Sequence, residues 1–98
     1  MGFIVEYNWV LKISQIEYPL IVGEKYNFEK NAIRIYPLNI PIDLLNKDWE
    51  AVGSCVITEL SYHNNVTVGK FKVLEIYSGN KKNILTEYWK RYSEQNTI

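Results

Sequence analysis

Two prolines inside one apolar run, Pro37 and Pro41 within residues 33–42, constrain this chain more than any other feature. Neither carries an amide proton, so the run cannot be helical, and each proline belongs at a strand end, at a sheet edge or outside the sheet. Beyond the run, residues 52–62 and 66–77 are rich in β-branched and aromatic residues and alternate with polar ones around a polar tip, His63, Asn64 and Asn65. Period-2 alternation of that length predicts two long paired strands. Val52, Ser54, Val56, Thr58, Leu60 and Tyr62 share one face of the first strand. On the second, Phe71 and Val73 are out of phase with Leu74 and Ile76, which predicts a bulge near Gly69 and a curled sheet.

Upstream, Phe3, Val5, Tyr7, Trp9, Leu11 and Ile13 alternate with Glu6, Asn8 and Lys12, predicting a strand over 3–13. Ile4 and Val10 on its polar side imply that something covers part of that side. Segments 24–28 and 32–36 read as a hairpin turning through Glu29, Lys30 and Asn31, because asparagine tolerates a left-handed backbone. Residues 42–49 read as a short helical turn. After Ser78, Gly79 and Asn80 the spacing of Ile84, Leu85, Tyr88, Trp89 and Tyr92 predicts an amphipathic helix over 82–95. The expected fold is mainly β: a small antiparallel β-barrel of five to six strands with a C-terminal α-helix. The barrel takes residues 1–80, and the helix and tail take 81–98 of the same domain.

A chain of 98 residues with 47% hydrophobic and 14% aromatic residues is a single globular domain. Its 11 basic and 11 acidic residues balance, so it lacks the charge of a dedicated duplex-DNA binder. No run approaches the ~20 apolar residues of a membrane-spanning helix, and no basic segment leads an apolar stretch at the N-terminus. The single cysteine, Cys55, excludes an intramolecular disulfide and fits a reducing compartment. Its place in an apolar strand predicts an inert packing residue. The cytoplasm is the expected location.

Catalytic chemistry finds little to use. One histidine, His63, at a loop tip and one cysteine eight positions away make neither a metal site nor a nucleophile–base pair, so no cofactor is called for. Asp43, Asp48 and Glu50 would need burial to serve as acid and base; the plain expectation is a solvated loop with Asp43 capping a helical turn. Binding chemistry has more support. Lys25, Tyr26, Arg34 and Tyr36, with Lys70 and Lys72 on the last strand, have the residue types with which small barrels stack and neutralise single-stranded RNA. Tyr88, Trp89 and Tyr92 give the helix a face suited to its own barrel, to a partner or to a second copy.

The segment from Arg34 to Ile42 (Arg-Ile-Tyr-Pro-Leu-Asn-Ile-Pro-Ile), Val52-Gly53 ahead of a strand, and the strand pair ending in residues 77–80 resemble a small domain-of-unknown-function family of Bacillus-type bacteria. The resemblance covers roughly residues 1–80, leaving 81–98 as an extension. It implies a fold and no activity. The strand Val52-Gly-Ser-Cys-Val-Ile57 is also similar to the central strand of PUA and ASCH barrels, which bind RNA or nucleotides. That likeness implies a basic pair at the barrel mouth, for which Lys25 and Arg34 are the candidates. The functional expectation is a non-enzymatic module that binds a protein partner or itself. Single-stranded RNA or nucleotide is the alternative ligand, and a small inhibitor or immunity-type protein is a further possibility.

Overall fold

The structure, a computed structural model, describes residues 6–95 except 15, 17 and 18, with side chains from residue 8 to 92. In chain order the elements are β1 (Glu6–Tyr7), β2 (Val10–Lys12), β3 (Lys25–Lys30), β4 (Arg34–Ile35), β5 (Ile42–Leu45), β6 (Ala51–His63), β7 (Val66–Ile76) and α1 (Gly79–Gln95). The expected long pair is β6–β7, antiparallel from Gly53–Ile76 to His63–Val66. Asn64 and Asn65 close it with φ of 49° and 63°. Two successive positive φ values make the turn whose twist matches that of the flanking strands, and asparagine is among the few residues that accept them.

These strands form the centre of a five-stranded mixed sheet, β2-β5-β6-β7-β3, in which only β2–β5 is parallel. The sheet does not close, which corrects the expected barrel: β2 and β3 are its two ends, and β1 and β4 pair separately in parallel. The hairpin expected over 24–36 is also absent. β3 gives its hydrogen bonds to β7 in the register Lys25–Lys72 to Lys30–Thr67, while β4 pairs with β1. Residues 42–45 form a strand rather than a helical turn, because β2 and β6 flank them and satisfy their backbone from both sides. The N-terminal strand is broken at Asn8 and Trp9; Phe3, Val5 and Ile4 lie outside the described residues.

The bulge opposite Lys70 and Phe71 lies on the other strand from the one expected. Ile57 pairs with Phe71 and Glu59 with Lys70, so Thr58 is an extra residue on β6. Before it Cys55 and Ile57 face the core at 0% exposure; after it the partly buried Leu60 packs against the core. The six alternate residues from Val52 to Tyr62 therefore do not share one face. A second bulge leaves Leu74 unpaired on β7, between the pairs Ser54–Glu75 and Cys55–Val73. On β7 the inward set Thr67, Gly69, Phe71 and Val73 runs unbroken, and Leu74 and Ile76 point outward.

Alternation divides the apolar residues between two faces. Leu11, Phe28, Tyr36, Ile42, Leu44, Cys55, Ile57, Phe71 and Val73 make the main core, with Tyr36 edge-on to Phe28 at 5.6 Å between ring centres. The proline-flanked segment follows this face: Leu38 bridges Ile57, and the Asn39 amide donates to the Ile57 carbonyl at 2.9 Å. On the other face Leu45, Ala51 and Tyr77 meet Val10, Trp49, Leu85 and Trp89. Leu85 and Trp89 of helix α1 share this cluster with Val10, one of the two apolar residues from which cover was expected; the other, Ile4, lies outside the described residues.

Candidate ligand-binding groove

The side of the sheet that carries α1 also carries a groove. Its volume is about 700 Å³, and it is lined by Trp9, Lys12, Lys30, Arg34, Tyr36, Trp49, Tyr88, Trp89 and Tyr92, together with Asn8 and Val10. All three tryptophans of the chain reach it. Each wall has a structural cause. Trp89 docks on the sheet through its indole N–H, which donates to Asp43 Oδ2 at 2.7 Å; the Tyr77 hydroxyl donates to Asp43 Oδ1, also at 2.7 Å. Asp43 is thus an anchor for the helix, in place of the cap predicted for it. Tyr88 and Tyr92 stand edge-on to Trp89, with ring centres 5.0 and 5.5 Å away.

Arg34 is set by its backbone. Its amide donates to Thr67 Oγ1 at 2.9 Å, the Thr67 hydroxyl donates to the Ala32 carbonyl at 2.6 Å, and the Tyr62 hydroxyl donates to the Arg34 carbonyl at 2.9 Å. Thr67 is fully buried, a polar residue kept inside the fold by these bonds. Beside Arg34, burial pushes the Tyr36 phenol up to about 12 despite the guanidinium nearby, so it stays neutral. Trp49 is held in a left-handed conformation, φ 64°, that a bulky residue adopts only under constraint. The constraint is Asn46, whose Oδ1 accepts from the amides of Asp48 (2.9 Å) and Glu50 (3.0 Å) and whose carbonyl accepts from the Trp49 amide (3.1 Å). Lys12 Nζ then lies 4.6 Å from the centre of the Trp49 ring, a cation–π contact. The Lys30 ammonium donates to the Lys12 carbonyl; burial first, and the Lys12 charge second, push its pKa down.

The residues singled out from sequence divide between three places. Arg34 and Tyr36 join Tyr88, Trp89 and Tyr92 in this groove, merging parts of what were two separate clusters. Lys25 and Tyr26 do not join them: they line a smaller hollow of about 210 Å³ with Ile13, Ile16, Leu20, Asn27 and Phe71. Tyr26 is a packing residue there, stacked on Phe71 and accepting the Ile21 amide at 3.0 Å. Lys70 and Lys72 face solvent on β7, with Lys70 3.9 Å from Glu59. The basic pair Lys25 and Arg34 therefore does not frame a common mouth. Trp89 is docked rather than presented, and the exposed large hydrophobic residues of the helix are Ile84, Tyr88 and Tyr92. Sequence reasoning missed Trp9, Lys12, Lys30 and Trp49. The available signal was the tryptophans themselves, each set beside a strand boundary or on the helix.

The family model described as Domain of unknown function (DUF2584) matches residues 1–80. The chain belongs to this family. Among solved structures, the chain is similar to the X-ray crystal structure of protein ytmB from Bacillus subtilis, at 25% identity and a TM-score of 0.66, covering 82% of this chain and 99% of that one. No curated protein matches the chain. All of α1 beyond its first two residues lies outside the matched family region, so Tyr88, Trp89 and Tyr92 come from outside it while the other groove residues come from within. Among the described residues no helix is long and apolar enough to cross a membrane.

Proposed function

We propose that this domain is a non-enzymatic binding module whose ligand is single-stranded RNA, held along the aromatic–basic groove. One observation carries the reading: three tryptophans converge with Lys12, Lys30 and Arg34, and no Asp or Glu is among the described lining residues. Exposed rings accept any unstacked base, at about 1–3 kcal/mol per base, and the cations neutralise phosphates. A duplex hides its bases, so the groove favours single strands. The zero net charge of the chain makes the attraction local rather than global. A cytosolic setting accords with the lone, buried Cys55. The test is quenching of intrinsic tryptophan fluorescence by oligouridylate against duplex RNA. The single strand is expected to quench, with affinity falling by a log–log salt slope of about −0.7 for each phosphate contacted, and Trp9→Ala and Arg34→Ala should weaken it. Absence of binding to a random single-stranded pool, or salt-independent binding, refutes the reading.

A second reading, self-association, is favoured by a specific feature of α1. Ile84, Tyr88 and Tyr92 are 66%, 59% and 47% exposed and share a shallow depression with Glu87 and Arg91. Glu87 and Arg91 pair within the helix at 2.6 Å; an antiparallel second copy would set the same two opposite charges across the interface. Sedimentation of the wild type and Tyr88→Ala decides it: a mass difference supports a dimer, and two monomers exclude it.

A further inference from the structure

We infer that Lys12 and Lys30 form a phosphate seat inside the groove, among its aromatic rings. The inference rests on the proposed reading of the groove as a nucleic-acid site and adds where the ligand's phosphate goes. Lys12 ends β2 and Lys30 ends β3, the two outermost strands of the sheet, so their meeting is a product of the tertiary fold rather than of sequence proximity. The Lys30 ammonium is fixed against the Lys12 carbonyl, and the Lys12 ammonium is fixed over Trp49 at 4.6 Å. Both cations therefore have settled positions, unlike Lys70 and Lys72, which are exposed on β7.

Two ammonium groups lining one half-buried groove oppose folding, because each disfavours the charge of the other. Lys30 registers both the burial and the neighbouring charge. An anion between them reverses the sign of that interaction. A phosphate oxygen suits the position because lysine binds it as a compact charge with several donors. The Trp49 backbone points the same way: the Asn46 bonds hold a strained φ of 64° that places the indole beneath Lys12. The ligand chemistry is thus a phosphate with an aromatic base attached, either a strand's phosphodiester or a free nucleotide.

The experiment follows lysine Cε and Nζ resonances of the full chain by NMR during titration with inorganic phosphate, uridine monophosphate and oligouridylate. The Lys12 and Lys30 signals are expected to move with each probe, while those of Lys70 and Lys72 stay in place. Lys30→Gln should lower oligouridylate affinity about tenfold and reduce the salt slope by about one contact. Lys12→Gln, which leaves the Lys12 backbone carbonyl that Lys30 donates to in place, provides the same test should Lys30→Gln fail to fold. Oligouridylate binding that ignores both substitutions overturns the seat and leaves the groove reading standing. Movement of the two lysines with phosphate or the mononucleotide, and no binding of any strand, upholds the seat and overturns the RNA reading. Silence with all three probes overturns both.

Discussion

Replacing Asp43 by alanine removes an acceptor shared by two donors, the Tyr77 hydroxyl and the Trp89 indole N–H, each at 2.7 Å. A hydrogen bond to a charged group contributes roughly 1.5–3 kcal/mol. Both bonds are only partly buried, so water recovers part of that loss, and the expected cost is about 3 kcal/mol. For a domain of this size that lowers Tm by roughly 12–24 °C. Asp43→Asn keeps one acceptor but turns its amide toward a donor, and should cost about half as much. Urea unfolding followed by circular dichroism gives the numbers, with an unchanged m-value showing that cooperativity survives. A double-mutant cycle makes the test specific. Tyr77→Phe should cost about 1 kcal/mol alone and almost nothing beside Asp43→Ala. An Asp43→Ala protein within about 0.5 kcal/mol of wild type, or a strictly additive cycle, refutes the anchor.

Two glycines permit close approach. A Cβ on Gly53 would stand 2.4 Å from the Glu75 carbonyl oxygen, backbone against backbone, so Gly53→Ala should destabilise by about 3 kcal/mol or more in urea. Gly69→Ala would meet the Glu59 carbonyl oxygen at 2.6 Å and the Phe28 ring at 2.7 Å; because part of that clash is a side chain, Phe28→Leu should recover some of the loss. Neither substitution being destabilising would contradict the packing of β3 and β6 on β7. Burial, then the Asp43 charge, raises the Cys55 thiol to about 12, so a thiol reagent at pH 8 should label it only after urea is added; rapid stoichiometric labelling of folded protein would contradict its burial. Cys55 and Tyr36 rise from 9.0 and 10.0 to about 12, and Tyr77 rises too. Their stabilisation is complete below the unfolded-chain values and is lost as pH climbs from 9 toward 12. Stability that stays flat from about pH 8 to 11 would refute this.

What could be read from the sequence was local. Alternation and the adjacent asparagines located β6 and β7, and apolar spacing located α1. Which strand each short segment chooses was not legible. Residues 24–36 carry the signals of a hairpin, yet β3 and β4 join different sheets, because long-range partners outweigh a weak turn. The four apolar or acidic residues of β5 fit a helical turn equally well until the strands on both sides are known. Closure of the sheet was out of reach for the same reason, since it depends on whether the backbones of β2 and β3 pair. The groove followed the same rule. Arg34, Tyr36 and the helix aromatics could be nominated from residue type. Lys12 read as a charge on the polar face of a strand, Lys30 as a turn residue and Trp49 as part of a helical turn, until the fold brought them together.

The Asn64–Asn65 turn also sets an order of assembly. It joins β6 to β7 with the shortest possible loop, so their pairing requires little chain entropy and needs no other element in place. Every other partner must arrive from farther along the chain: β3 crosses to β7, β2 to β5, and α1 returns to the face of β6. Two of the three tryptophans belong to these later arrivals, Trp9 beside β2 and Trp89 on α1. In a refolding experiment the far-UV β signal should therefore precede the change in tryptophan emission. The groove therefore takes shape late in folding, once α1 has docked on the sheet through Trp89.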